Sequence, residues 1–258
     1  MNTKYDTKLN ELEWYKRHPL LLPFIGNDYD EYKILQIGES HYIPQNKDNM
    51  KFDIKYFIDN WWDTSCDNKF GDWKGWFYTR GVIEDYLDGY TSKAHGIFNN
   101  VIKCFSKCIL EETISDFSLG NKQIYNNFAF MNFFQMPSIF EGKKYWNSLV
   151  QSANNREVAS KVFRKCTEVS IKAVDDVIHI IDPKIIIFTS ISAKKAYTGE
   201  EYKDYIGKYK DDNRVIYTSH PSASFSWNKK LKTLHNKTGE QVLEEGLFRL
   251  KHTLIRHI

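Results

Sequence analysis

Three stretches of this chain set groups capable of chemistry beside β-prone apolar runs. "KILQIGESHY" (33–42) places Gly38, Glu39, Ser40, His41 and Tyr42 after the first run. "NFAFMNFFQMPS" (127–138) carries Asn132 inside the second and Pro137-Ser138 after it. "RVIYTSHPSASFSWNKK" (214–230) ends a short run in His220-Pro221-Ser222, then sets Phe225 and Trp227 among serines and lysines. A carboxylate and imidazoles at strand ends suit proton transfer or stabilisation of developing charge. An asparagine amide offers a donor and an acceptor together, so it can read the edge of a base. Proline fixes its own backbone and makes a rigid turn that aims the preceding histidine. Each stretch also has a plainer account. Ser40 can cap a helix in a polar loop, Asn132 can bond the backbone, and the lysines can line a solvated loop.

The elements that hold these groups follow from hydrophobic pattern. Four runs read as strands: Lys33–Gly38, Asn127–Phe134, Lys184–Ser190 and Arg214–Ser219. Each is nearly continuous in apolar residues, which suits strands of a parallel sheet covered on both faces. Between the second and third, residues 156–182 place Ala159, Val162, Phe163, Cys166, Ala173, Val177 and Ile181 at helical spacing, and Pro183 stops the helix. Near the C-terminus Thr238 and Gln241 fit a capping box that opens a helix with Val242, Leu247, Leu250 and Leu254 as its apolar stripe. Strands alternating with helices predict an α/β fold: three layers, α/β/α, around a central, largely parallel four-stranded sheet. Ligands in such folds bind at the carboxyl ends of the strands, where all three stretches end. After the third strand, "SISAKKAY" opens a helix whose first amides can receive a phosphate, although an ordinary helix start explains it equally.

Composition bounds the rest. With 258 residues, 41% hydrophobic and 27% charged, the chain predicts one globular domain over 1–258, with an aromatic-rich insertion around 43–90. A net charge of +3 does not announce a nucleic-acid binder, but no acidic residue stands between Asp212 and Glu240, while five lysines and arginines do. Cys66, Cys104, Cys108 and Cys166 form no C-x-x-C pair, which predicts buried, reduced thiols, with no metal and no cofactor. The first residues lack an apolar signal core and no stretch approaches a membrane span, so a cytoplasmic monomer is expected.

The ordered set "IGESHY", "FAFMNFF", "TSHPSAS" resembles the uracil-DNA glycosylase superfamily, which has a strand-borne G-x-x-P-x motif, a strand bearing a base-recognising asparagine, and a terminal H-P-S loop. "IIIFTSISAKKAY" is similar to the family's segment between the last two. The resemblance implies an enzyme that flips uracil or a modified base out of DNA and hydrolyses its N-glycosidic bond. It implies that His220 stabilises the departing base and that Glu39, with His41 as its rival, activates water or stabilises an oxocarbenium-like sugar. It assigns Asn132, with Tyr42, Ser40 and Gly38, to the base. It assigns Pro221 and Ser222 to the phosphate backbone, Phe225 or Trp227 to a wedge between bases, and Ser224, Lys229 and Lys230 to DNA. The first motif departs from the family. Against "GQDPY", Ser40 stands where the catalytic aspartate belongs and His41 where the proline does. Against "GEAPG", Glu39 is retained, and the proline and second glycine are lost. The interval to Asn132 is also long and carries Trp61, Trp62, Trp73 and Trp76, which either stack bases or fill a satellite core under a loop. Two other functions fit the same residues: a non-catalytic nucleic-acid-binding member of the fold, and a nucleotide or nucleoside hydrolase.

Overall fold

The structure, a computed structural model, describes residues 1–42, 60–62, 77–92, 95–138, 145–153, 155–199, 212–221 and 227–255. Five strands form one mixed sheet: β1 (Phe24–Ile25), β2 (Ile34–Tyr42), β3 (Phe128–Ser138), β4 (Ile185–Phe188) and β5 (Val215–Tyr217), in the order β1-β3-β2-β4-β5. β1 runs antiparallel to β3, and the other neighbours are parallel. The expected four parallel strands are therefore joined by a two-residue antiparallel edge.

The helices, in chain order, are α1 (Asp6–Glu11), α2 (Glu13–Arg17), α3 (Tyr29–Tyr32), α4 (Thr79–Leu87), α5 (Gly96–Phe105), α6 (Leu119–Lys122), α7 (Tyr145–Ala153), α8 (Arg156–Ile181), α9 (Ile191–Thr198) and α10 (Gly239–Ile255). They cover both faces of the sheet. Odd residues of β2 and β3, Leu35, Ile37, Met131 and Phe133, pack with Leu149 of α7, Phe163 and Val177 of α8 and Ala193 of α9. Even residues, Ile34, Phe128 and Phe130, pack with Ile83 of α4, Val101 and Phe105 of α5 and Leu243 and Leu247 of α10. Burial on both faces is why these strands read as apolar runs without alternation.

Chain caps agree with the local sequence. The Asn155 side chain accepts the backbone N–H groups of Glu157 and Val158, and α8 ends at Asp182 in the left-handed region, before Pro183. At α10 the Thr238 N–H donates to Gln241 Oε1 (3.0 Å) and the Gln241 N–H to Thr238 Oγ1 (3.1 Å), the reciprocal bonds of a capping box. Cys104, Cys108 and Cys166 are buried free thiols. Among the described residues no helix is long and apolar enough to cross a membrane.

Topology selects one edge for chemistry. From β2 the chain moves to β3 on one side, crosses back over β2 to β4, and continues outward to β5. The first crossover packs α4 and α5 on one face, and the later ones place α8 and α9 on the other. Opposite directions of travel on opposite faces are what a single crossover handedness requires. The reversal lies between β2 and β4, and the crevice of such a sheet opens there, at the carboxyl ends.

Candidate active site at the carboxyl rim

Parallel registers align the groups of interest. Ile37 pairs with Phe188, and Phe188 with Tyr217. Glu39, Ser190 and His220 follow that row by two, two and three residues. The "GESHY" motif does not follow β2, as its polar character predicts; it lies within it, because β2 stays paired with β3 through Ser40–Phe134 and, after a register shift, Tyr42–Ser138. Pro137-Ser138 likewise ends β3 and forms no separate turn.

Glu39 is part-buried, and both its oxygens are held. Oε1 accepts the backbone N–H of Tyr145, the first residue of α7, at 3.1 Å. Oε2 accepts the Ser190 hydroxyl, the N-cap of α9, at 2.7 Å. Two helix N-termini thus converge on one carboxylate, positive dipole ends facing negative charge.

Gly38 is no turn residue. It pairs with Asn132 across the β2–β3 ladder, and a Cβ there would lie 2.4 Å from Asn132 Oδ1. A side chain here would displace the Asn132 amide, which lies directly over this backbone. That side chain makes no hydrogen bond among the described residues; its backbone carbonyl accepts Gln135 Nε2 at 2.7 Å. Gln135 in turn accepts the Trp14 indole N–H at 2.8 Å. Asn132 therefore has a fixed backbone and an unengaged amide.

His220 follows β5 in a segment pinned to neighbouring helices. The Thr218 hydroxyl donates to the Gly239 carbonyl (2.7 Å), and Asn100 of α5 donates to the Pro221 carbonyl (2.8 Å). Burial pushes the imidazole below the ordinary histidine range, and the Glu39 charge pulls it part of the way back. At neutral pH the ring is therefore neutral, within the influence of the Glu39 charge.

The remaining predicted residues divide. His41 is buried, and its Nε2 pairs with Thr79 Oγ1 on α4 at 2.8 Å. Ser40 and Tyr42 are part-buried in β2, Pro221 is buried, and Lys229 and Lys230 are exposed. Trp227 does not fit the wedge expected of it. It is 3% exposed within the α5/α10 core, against Gly239, where a Cβ would approach its ring to 2.8 Å. It anchors the segment. Ser222, Ser224 and Phe225 lie outside the described residues, as do Trp73, Trp76 and Cys66. Trp61 is fully buried and stacks on His18 (4.3 Å), and Trp62 packs on Trp14 (5.8 Å), so these two insertion residues fill a core against α2. Sequence reasoning missed Ser190 and Tyr145 as partners of Glu39, since they lie far along the chain. No family model, curated protein or solved structure matches this chain.

Proposed function

We propose that the chain is a DNA glycosylase with a fold and mechanism like those of the uracil-DNA glycosylase superfamily, acting on uracil or a modified base flipped out of DNA. The observation that carries this reading is that Glu39 and His220 lie at the carboxyl ends of β2 and β5, where the Glu39 charge acts on the imidazole, with the Asn132 amide over the adjacent Gly38. In this mechanism Asn132 pairs with the edge of the flipped base. The N-glycosidic bond breaks with its electron pair leaving on the base. Neutral His220 donates an N–H to the oxygen or nitrogen where that charge develops. The fixed Glu39 carboxylate faces the positive sugar, water adds to the anomeric carbon, its proton ends on the departed base anion, and an abasic site remains.

A second reading, a nucleic-acid binder without turnover, is favoured by one observation: both Glu39 oxygens already serve helix N-termini, as those of a purely structural carboxylate would. An excision assay separates the two. Labelled single- and double-stranded oligonucleotides carrying uracil, other deaminated bases or bulky modified pyrimidines are incubated with the protein, and abasic product is revealed by alkali. Product that vanishes in H220A and E39A supports the glycosylase. Binding without product on every substrate supports the second reading. Release of base from free nucleotides alone refutes both in favour of a nucleotide hydrolase.

A further inference from the structure

The Ser190 hydroxyl has one proton and two acceptor sites. One acceptor site takes the Ala193 backbone N–H at 3.1 Å, which fixes the oxygen in the N-cap of α9. The proton then points to Glu39 Oε2, 2.7 Å away. Ser190 is 1% exposed, so water does not compete for it. The opposite oxygen of Glu39 is held by Tyr145, whose ring stacks on Phe134 at 3.9 Å and whose hydroxyl meets Cys166 Sγ at 3.2 Å. The carboxylate is thus gripped from two helices, and it cannot turn in its plane without breaking one grip.

We propose that Ser190 is a positioning residue for Glu39, holding the carboxylate in the orientation that presents its charge to the reacting sugar. This rests on the glycosylase reading. It goes beyond that reading by assigning a role to a side chain that touches neither base nor sugar. A hydroxyl that only capped α9 would matter to stability alone, and the two roles are separable. Glycine is nearly as good an N-cap as serine, yet it has no hydroxyl to donate.

The test compares wild type, S190G, S190A and S190T in single-turnover excision on the best oligonucleotide, with affinity and thermal melting measured in parallel. Loss of one hydrogen bond to a charged group should slow S190G and S190A by about 10- to 100-fold. Oligonucleotide affinity should be unchanged, S190G and S190A should lose rate beyond what their melting temperatures account for, and S190T should restore the rate. The inference is overturned if S190G and S190A excise at the wild-type rate, if affinity falls in step with the rate, or if the loss in rate follows melting temperature across the series. A wild-type protein that releases no base from any oligonucleotide overturns the glycosylase reading itself, and this inference with it.

Discussion

Replacing Gly38 with alanine should separate stability from function at one atom. The new methyl would lie 2.4 Å from Asn132 Oδ1 and 3.1 Å from the Phe130 ring. An ordinary carbon–oxygen contact is about 3.4 Å, so the amide must retreat by about 1 Å. Asn132 makes no side-chain hydrogen bond to lose among the described residues, and an altered rotamer costs about 0.5–1.5 kcal/mol. Alanine in a strand interior returns about 0.5–1 kcal/mol over glycine. The two nearly cancel, and G38A should unfold in urea within about 1 kcal/mol of wild type. Base recognition, under the proposed function, has no such offset. A displaced amide forfeits a base-edge contact of about 1–3 kcal/mol, so single-turnover excision should fall about 5- to 150-fold. Wild-type excision by G38A would refute the role given to Asn132. A loss of more than about 3 kcal/mol in stability would refute its freedom to move.

Two further outcomes follow. In E39Q the glutamine carbonyl can still accept the Tyr145 N–H, but the charge that pulls the His220 titration upward is gone, so the His220 midpoint, read by NMR, should fall further below the ordinary histidine range. The folded chain already binds fewer protons at His220 than the unfolded chain just below pH ~6.5, so this group's contribution to stability is lost as pH falls through that window, and E39Q should extend the loss to lower pH. A His220 midpoint that stays or rises would show that the two groups do not face each other. W227A should cost about 3–5 kcal/mol in a denaturation experiment, as truncation of a core tryptophan does; full stability with weakened DNA binding would restore the wedge.

Much of the frame is legible in the sequence because it is written locally. The 26-residue α8 shows its apolar period and its stop at Pro183, and α10 shows its capping box. The four longer runs read as strands because burial on both faces leaves them apolar. What escapes is set by distance or brevity. β1 has two residues, too few for any period. β2 continues through polar Glu39–Tyr42 because β3 pairs with it there, a tertiary bond that overrides local pattern. Trp227 sits among serines and lysines and reads as loop, yet the missing side chain of Gly239 makes room for its ring. Ser190 and Tyr145 reach Glu39 across 151 and 106 positions, beyond any spacing rule.

The two halves of the proposed site do not share one mechanical fate. Glu39 rides on β2, the interior strand, whose backbone is paired to β4 as far as Ile37 and to β3 as far as Tyr42. Opening it requires dismantling the sheet. His220 hangs from β5, three residues long and, among the described residues, paired with β4 alone at the sheet's end. Elements of that kind open at a fraction of the global unfolding free energy. The β5 end is therefore expected to open before β2, as far as its anchors at Thr218, Pro221 and Trp227 allow. Under the proposed function, excision should then fade ahead of the cooperative melt, and amide exchange in β5 should run ahead of that in β2.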